Sequence, residues 1–226
     1  MGGFESFLFS FFNLKVMATY LPLVAKGFGL TVLLALLIVV CGLALGLALA
    51  VLRSFGVRVL NWGIIFVVDL FRALPPLVII VLLFFGLPAA GITVSGFAAT
   101  WLSLTLVLMA FAEEIYWAGI TAVPKGQWEA ARSTGLTFLQ TLRLVVLPQA
   151  LRITIPPLTN RTIAITKGTA LGSVVGVAEI LGASQSAMSF SANPSALTLG
   201  AIAYLILFIP VVAFGRWVET RFAWKR

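Results

Sequence analysis

Between Lys26 and Arg53 the chain runs for 26 residues, 27–52, without a single charge. A helix needs only about 20 apolar residues to cross the hydrocarbon core of a bilayer. Four further apolar stretches repeat the pattern, and together they predict crossings at about 24–52, 59–86, 96–121, 150–175 and 196–217. Turn signals separate them: GLPAAGITVSG lies between the second and third, and SQSAMSFSANPS precedes the fifth. The opening MGGFESFLFSFFNLK has no basic start, sustained apolar centre or small-residue cleavage site, so it is not expected to be a removable signal. Its run of Phe predicts an interfacial helix, and residues 1–19 are set apart as an N-terminal interfacial segment.

One stretch breaks the apolar pattern. Residues 126–148 read GQWEAARSTGLTFLQTLRLVVLP and predict a short amphipathic helix, a break and a second helix. Trp128, Ala131 and Leu136 can share an apolar side while Lys125, Glu129 and Arg132 take the wet one. Gly135 is expected to end the first piece and Pro148 to limit the second. From pattern alone, this stretch either lies on lipid headgroups or docks a soluble partner.

Composition agrees with the spans: 61% hydrophobic, 10% charged and a mean hydropathy of +1.13 describe an all-α integral membrane protein. His is absent and Cys41 is the single cysteine, so neither a disulfide framework nor a thiolate or imidazole metal site can be assembled. Charge adds orientation. Ten of the fifteen Lys and Arg follow the first crossing (Arg53, Arg58), the third (Lys125, Arg132, Arg143, Arg152) or the fifth (Arg216, Arg221, Lys225, Arg226). Lys15 and Lys26 vote the other way and are outnumbered, so the N-terminus is expected outside and the C-terminus inside, with residues 221–226 a cytoplasmic basic tail. The net charge of +8 thus reports topology and anionic lipid rather than nucleic acid.

Glu129-Ala130-Ala131, Gly135 six places after the Glu, and Leu147-Pro148 resemble the EAA loop of ABC importer permeases, whose pattern is EAA, three residues, G, nine residues, then I-x-L-P. Val145 stands at the Ile position. FRALPPL at 71–77 resembles the FRGTPLL segment of polar amino acid permeases, and AEEIYWAGITAVPKGQWEAA at 112–131 resembles their AEI-x-R-x-G-I-x-S-V-P-K-G-Q-x-E-A-A run. VLPQALRITIPPLTN at 146–160 and SVVGVAEIL at 173–181 continue the likeness, which covers roughly residues 20–220. The resemblance implies the five-helix type I importer permease fold, a single transmembrane domain over 20–220 with its coupling loop at 122–149. It also implies a second permease subunit (a copy or a paralogue), two cytoplasmic ABC ATPases, an extracytoplasmic solute-binding protein, an amino acid or related zwitterion such as an opine as substrate, and a bacterial cytoplasmic membrane location. Glu129, Ala130, Ala131, Gly135 and Pro148 would couple the chain to the ATPase. No phosphate loop of the form G-x-x-x-x-G-K-[ST] occurs, so ATP and Mg would belong to that partner, and no catalytic residue is expected.

Intramembrane charges cost about 2.5–3.5 kcal/mol each at a helix centre and are functional by default. Asp69 and Arg72 lie three apart and can pair structurally, holding the helix before a break at Leu74-Pro75-Pro76, or serve the substrate path. Pro75 and Pro76 free carbonyls in mid-membrane, which favours a cavity nearby. Asn160 and Lys167, seven apart with small Ala164 between, make a polar stripe. Lys167 can hold a substrate carboxylate or pair with Glu113, Glu114 or Glu179. Relatives often read K-D-T-S-L where this chain has Lys167-Gly168-Thr169-Ala170-Leu171, and Glu113 adds an acid where they carry a small residue, so a preference for cationic amino acids does not transfer. The substrate-path candidates are therefore Arg72, Glu114, Asn160, Lys167 and Thr169. Gly42 and Gly46 form a G-x-x-x-G that chance enrichment explains more readily than close helix contact. Two other functions remain: an ion-coupled secondary transporter, which would have no use for an EAA loop and would usually show repeated halves that are not found here, and a non-transporting membrane interaction protein.

Overall fold

The computed structural model describes residues 2–222, which leaves Lys225 and Arg226 of the basic tail outside the described residues. Among the described residues every regular element is helical. In chain order these are α1 (Gly3–Phe11), α2 (Leu14–Ser54), α3 (Arg58–Ala73), α4 (Pro76–Val81), α5 (Gly96–Ala122), α6 (Lys125–Ser133), α7 (Phe138–Thr141), α8 (Leu147–Lys167), α9 (Ile180–Ser191) and α10 (Ser195–Phe222). Among them four helical runs are long and apolar enough to span a bilayer, and a fifth span is completed if the broken pair Arg58–Ala73 and Pro76–Ala90 counts as one.

That break falls at Leu74-Pro75-Pro76, where the sequence places it within the second crossing at 59–86, and its cause is local. A residue before proline is pushed out of the helical region, so Leu74 (ψ 132) and Pro75 (ψ 134) are both extended, and Pro76 then opens α4 at the position where proline is best tolerated. Pro148 behaves differently from expectation. Helix continues through it from Phe138 to Val175 because the preceding turn, Leu142–Val146, widens to a π-helix. Proline clashes with the carbonyl four residues back, and a wider turn relieves that clash. The same device precedes Pro88, after the π turn Leu82–Gly86.

SQSAMSFSANPS is also more helical than its composition suggests. Ser184, Ser186, Ser189 and Ser191 each donate to the carbonyl four residues back, so these hydroxyls are satisfied inside α9, and only the turn through Ala192 separates α9 from α10.

The chain divides into two compact units. One comprises residues up to 38, 75–104 and 166–212. Val24, Ile180 and Leu199 form one of its cores, with Phe28 and Tyr204 packed against them, and Ile80, Val175 and Val177 form another. Here α1 carries exposed Phe4, Phe7, Phe9 and Phe11, consistent with an interfacial position. The end of α1 is held by the turn before α10: Asn193 Nδ2 donates to the Phe9 carbonyl and Ser195 Oγ to that of Ser10, at 3.1 and 3.0 Å.

The other unit comprises 39–74, 105–165 and 213 onward. Its largest core joins Ala50, Tyr116, Ile120, Leu142, Val146 and Leu158, and a second joins Ile64, Val68 and Met109. Here Gly42 and Gly46 do mediate close contact. A Cβ at Gly42 would lie 2.9 Å from Leu108, and one at Gly46 would lie 2.9 Å from the Met109 carbonyl and 3.0 Å from the Glu113 amide. The close-packing reading of this G-x-x-x-G therefore replaces chance enrichment. Because α5 backbone cannot move aside cheaply, Gly46→Ala should cost about 1–3 kcal/mol. Gly29→Ala in the same helix, where nothing lies within 4 Å of the place a methyl group would take, should instead gain up to about 1 kcal/mol from helix propensity. Thermal unfolding in detergent separates the two.

Candidate functional site

The amphipathic loop folds as a hairpin of α6 and α7. Helix α6 starts at Lys125 directly after Pro124, and it stops at Ser133 because Gly135 adopts φ +88, which only glycine takes without strain. Thr137 then caps α7 reciprocally: its hydroxyl accepts from the Gln140 amide at 3.3 Å, and Gln140 Oε1 accepts from the Thr137 amide at 2.8 Å. Across the turn the rings of Trp128 and Phe138 stack at 5.5 Å, and Phe138 meets Phe55 at the same distance.

The predicted sides hold. Ala131 is buried and Trp128 and Leu136 are half-buried, while Lys125, Glu129, Ala130 and Arg132 are exposed. Among the described residues the Glu129 carboxylate has neither hydrogen bond nor ion pair, so a charged group beside a small residue, Ala130, faces outward from the hairpin. Pro148 lies in the first turn of α8, beyond this hairpin.

The charges on α3 and α5 form a second cluster. Arg72 pairs with Asp69 at 3.5 Å, as the spacing predicted, and more closely with Glu114 at 2.9 Å. Phe111 carries two guanidinium groups against its ring, Arg161 at 3.8 Å and Arg72 at 5.6 Å. Asn160 donates to Glu219. Glu113, next to Glu114, faces another helix: both its oxygens accept from Arg53 Nη1, at 3.1 and 3.3 Å, and Arg53 lies over Trp117 at 4.6 Å. Trp117 stands where the family run carries Arg, so two of the departures in this run, Glu113 and Trp117, engage Arg53. Sequence reasoning passed over Arg53, Arg161 and Glu219 as site residues; Arg161 sits beside Asn160 in the polar stripe and was the most legible of the three.

Lys167 and Thr169 belong to the other unit. Lys167 closes α8, is exposed, and has its Nζ 5.9 Å from the centre of the Phe208 ring. Of the carboxylates considered as its partners, Glu113 is held by Arg53, Glu114 by Arg72, and Glu179 accepts from Tyr204 and from the Gly182 amide. Thr169 is fully buried and its hydroxyl donates to the Thr166 carbonyl within the tight turn after Lys167. Among the described residues no group of three His, Cys, Asp or Glu is placed to hold a metal ion.

Residues 42–224 match the model of the family described as binding-protein-dependent transport system inner membrane component. The chain belongs to that family. As such it is a multi-pass inner-membrane permease of an ABC importer, which displaces the ion-coupled and non-transporting alternatives. It is 34% identical over 210 residues to the probable glutamine ABC transporter permease protein GlnM of Bacillus subtilis (strain 168), covering 92% of this chain and 97% of that one. To the probable amino-acid ABC transporter permease protein YckA of the same organism it is 36% identical over 170 residues, 75% of each chain. The permease fold superposes on the crystal structure of an amino acid ABC transporter with histidines, with a TM-score of 0.82 and 30% identity over 91% of this chain and 96% of the other. A fold likeness at 23% identity, TM-score 0.70, extends to an inward-facing MetNI methionine ABC transporter.

Proposed function

We propose that this permease moves amino acids, or related small zwitterions such as opines, into the cytoplasm, taking them from an extracytoplasmic binding protein and drawing its energy from two separate ABC ATPases. The observation that carries the reading is the α6–α7 hairpin, whose outward Glu129 and Ala130 are spent on nothing within the chain and suit the cleft of a soluble partner. ATP and Mg are used in that partner. Ala131 anchors α6 from beneath, Gly135 sets the angle of the hairpin, and Pro148 begins the span behind it. The distribution of Lys and Arg puts the hairpin on the cytoplasmic side and the N-terminus outside. Exposed apolar side chains along α10, such as Leu205, Ile206, Ile209 and Phe214, suit lipid or a second permease subunit, which is either a copy or a paralogue.

Lys167 is the residue best suited to a substrate carboxylate, being exposed with no carboxylate bound to it among the described residues. Gly168 beside it offers no acid to a cationic side chain, which favours neutral or acidic substrates. Arg72 and Glu114 serve the path through their mutual pair, Asn160 through its bond to Glu219, and Thr169 acts indirectly through the turn after Lys167. Uptake of labelled acidic, neutral and basic amino acids into proteoliposomes holding the complete transporter, with and without enclosed ATP, tests the reading. ATP-dependent accumulation of one class supports it, and accumulation driven by an ion gradient alone overturns it. In the same assay Lys167→Ala should raise KM about tenfold or more, the loss of one charge-assisted hydrogen bond, while the ATPase stays bound. Unchanged kinetics would leave Lys167 a structural residue.

A further inference from the structure

The Glu113 carboxylate is fully enclosed, and nothing in the proposed transport path uses it. Its partner Arg53 is the next-to-last residue of α2, with a side chain only 14% exposed. The two residues that follow are placed differently. Ser54, together with Trp117, Lys125 and Trp128, lines an open groove of about 310 Å³. Phe55 packs on Phe138, which stacks on Trp128 of α6. Three consecutive residues thus touch the buried acid of α5, an open groove, and the aromatic pair that closes the hairpin. Their backbone is pinned by capping bonds: the Phe55 amide donates to Leu52 and that of Gly56 to Arg53, both at 3.2 Å.

That groove opens to the surface between α5 and α6. Densely packed interiors have one position and transmit displacement directly. Between Trp117 of α5 and Trp128 of α6 lies this open groove, and the chain passes from α5 to α6 through Val123 and Pro124. Tyr116, Ile120 and Val123 of α5 share a core with Leu142 and Val146, against which Trp128 and Phe138 also pack, and residues 53–55 form a second link beside that core. We propose that residues 53–55 are a positioning strut that holds the coupling hairpin in register with α5, with Glu113 as its anchor and Phe55 as its contact with the hairpin. The strut rests on the importer reading given above and assigns Glu113, Arg53 and Phe55 a part in the coupling of ATP hydrolysis to transport rather than in docking or substrate binding.

The test is the number of ATP hydrolysed per substrate accumulated, measured in proteoliposomes with the whole transporter. Glu113→Gln and Phe55→Ala should each raise that ratio about fivefold or more while the complex assembles and hydrolyses ATP. Phe55→Tyr, which keeps the ring, should leave the ratio at the wild-type value. The double variant should be no worse than the worse single variant, because both lesions cut one strut. A wild-type ratio in Phe55→Ala, or independent additive effects, would overturn the proposal. Should Glu113→Gln fail to accumulate in the membrane, Arg53→Met with Glu113→Leu replaces the ion pair by apolar groups of similar size; the strut requires this variant to be uncoupled, and a coupled one removes it. Failure of the importer reading would look different, since the wild-type transporter itself would then show no ATP-driven uptake.

Discussion

Glu113→Ala should lower the stability of the chain by about 3–5 kcal/mol, the usual consequence of removing one partner from a buried ion pair. Glu113 is fully buried, its two oxygens share the Arg53 guanidinium, and that guanidinium is itself covered by Trp117. Deleting the carboxylate leaves the positive charge in an apolar setting with only the indole face against it, and leaves a cavity where the side chain was. At about 2–4 °C per kcal/mol for a chain of this size, the melting temperature in detergent should fall by roughly 10 °C. Arg53→Met with Glu113→Leu should melt close to wild type, because the desolvation cost of both charges disappears with their attraction. A fall of less than about 2 °C in Glu113→Ala would mean that Arg53 reaches solvent and that the pair holds little together.

Glu129→Lys should abolish ATP-driven uptake without harming the membrane-inserted chain. The Glu129 side chain is exposed and makes no bond among the described residues, while its carbonyl accepts from the Ser133 hydroxyl at 2.9 Å; reversing the side-chain charge disturbs no internal contact of that side chain. Across a docked interface the same change would replace an attraction by a repulsion, and broken charge pairs of that kind weaken association by about two orders of magnitude. Thermal unfolding should therefore be unchanged while ATPase co-purification and uptake both collapse. Retained uptake would remove Glu129 from the coupling assignment, and a lowered melting temperature would make it structural. The contrast with Glu113 is informative: the two acids lie sixteen residues apart, one fully enclosed and one on the outward face, and the same chemical group is expected to govern stability in the first place and partnership in the second.

Much of this was legible in the chain itself. The five apolar stretches, the amphipathic side of α6 with Trp128 and Ala131 inward, the stop at Gly135 and the Asp69–Arg72 pair all follow from local rules, because helix period, glycine freedom and three-residue spacing depend only on neighbours in sequence. Other features needed the tertiary structure. Whether Pro148 would end a helix or sit within one was decided by a π turn that only the continuing span makes worthwhile, and the serines of α9 turned from loop signals into helix once packing had fixed that segment. Gly42 and Gly46 look the same by sequence whether or not a partner helix arrives, and only the approach of Leu108 and the Met109 backbone gives them a role. Adjacent Glu113 and Glu114 could each have served Lys167; a helix turns by about 100° per residue, so they face different neighbours, and Arg53 and Arg72 claimed one each. Sequence determined which residues form helices, which face of α6 is wet and the local Asp69–Arg72 pair; long-range packing decided which charges distant in sequence meet, since such partners are chosen by position in space.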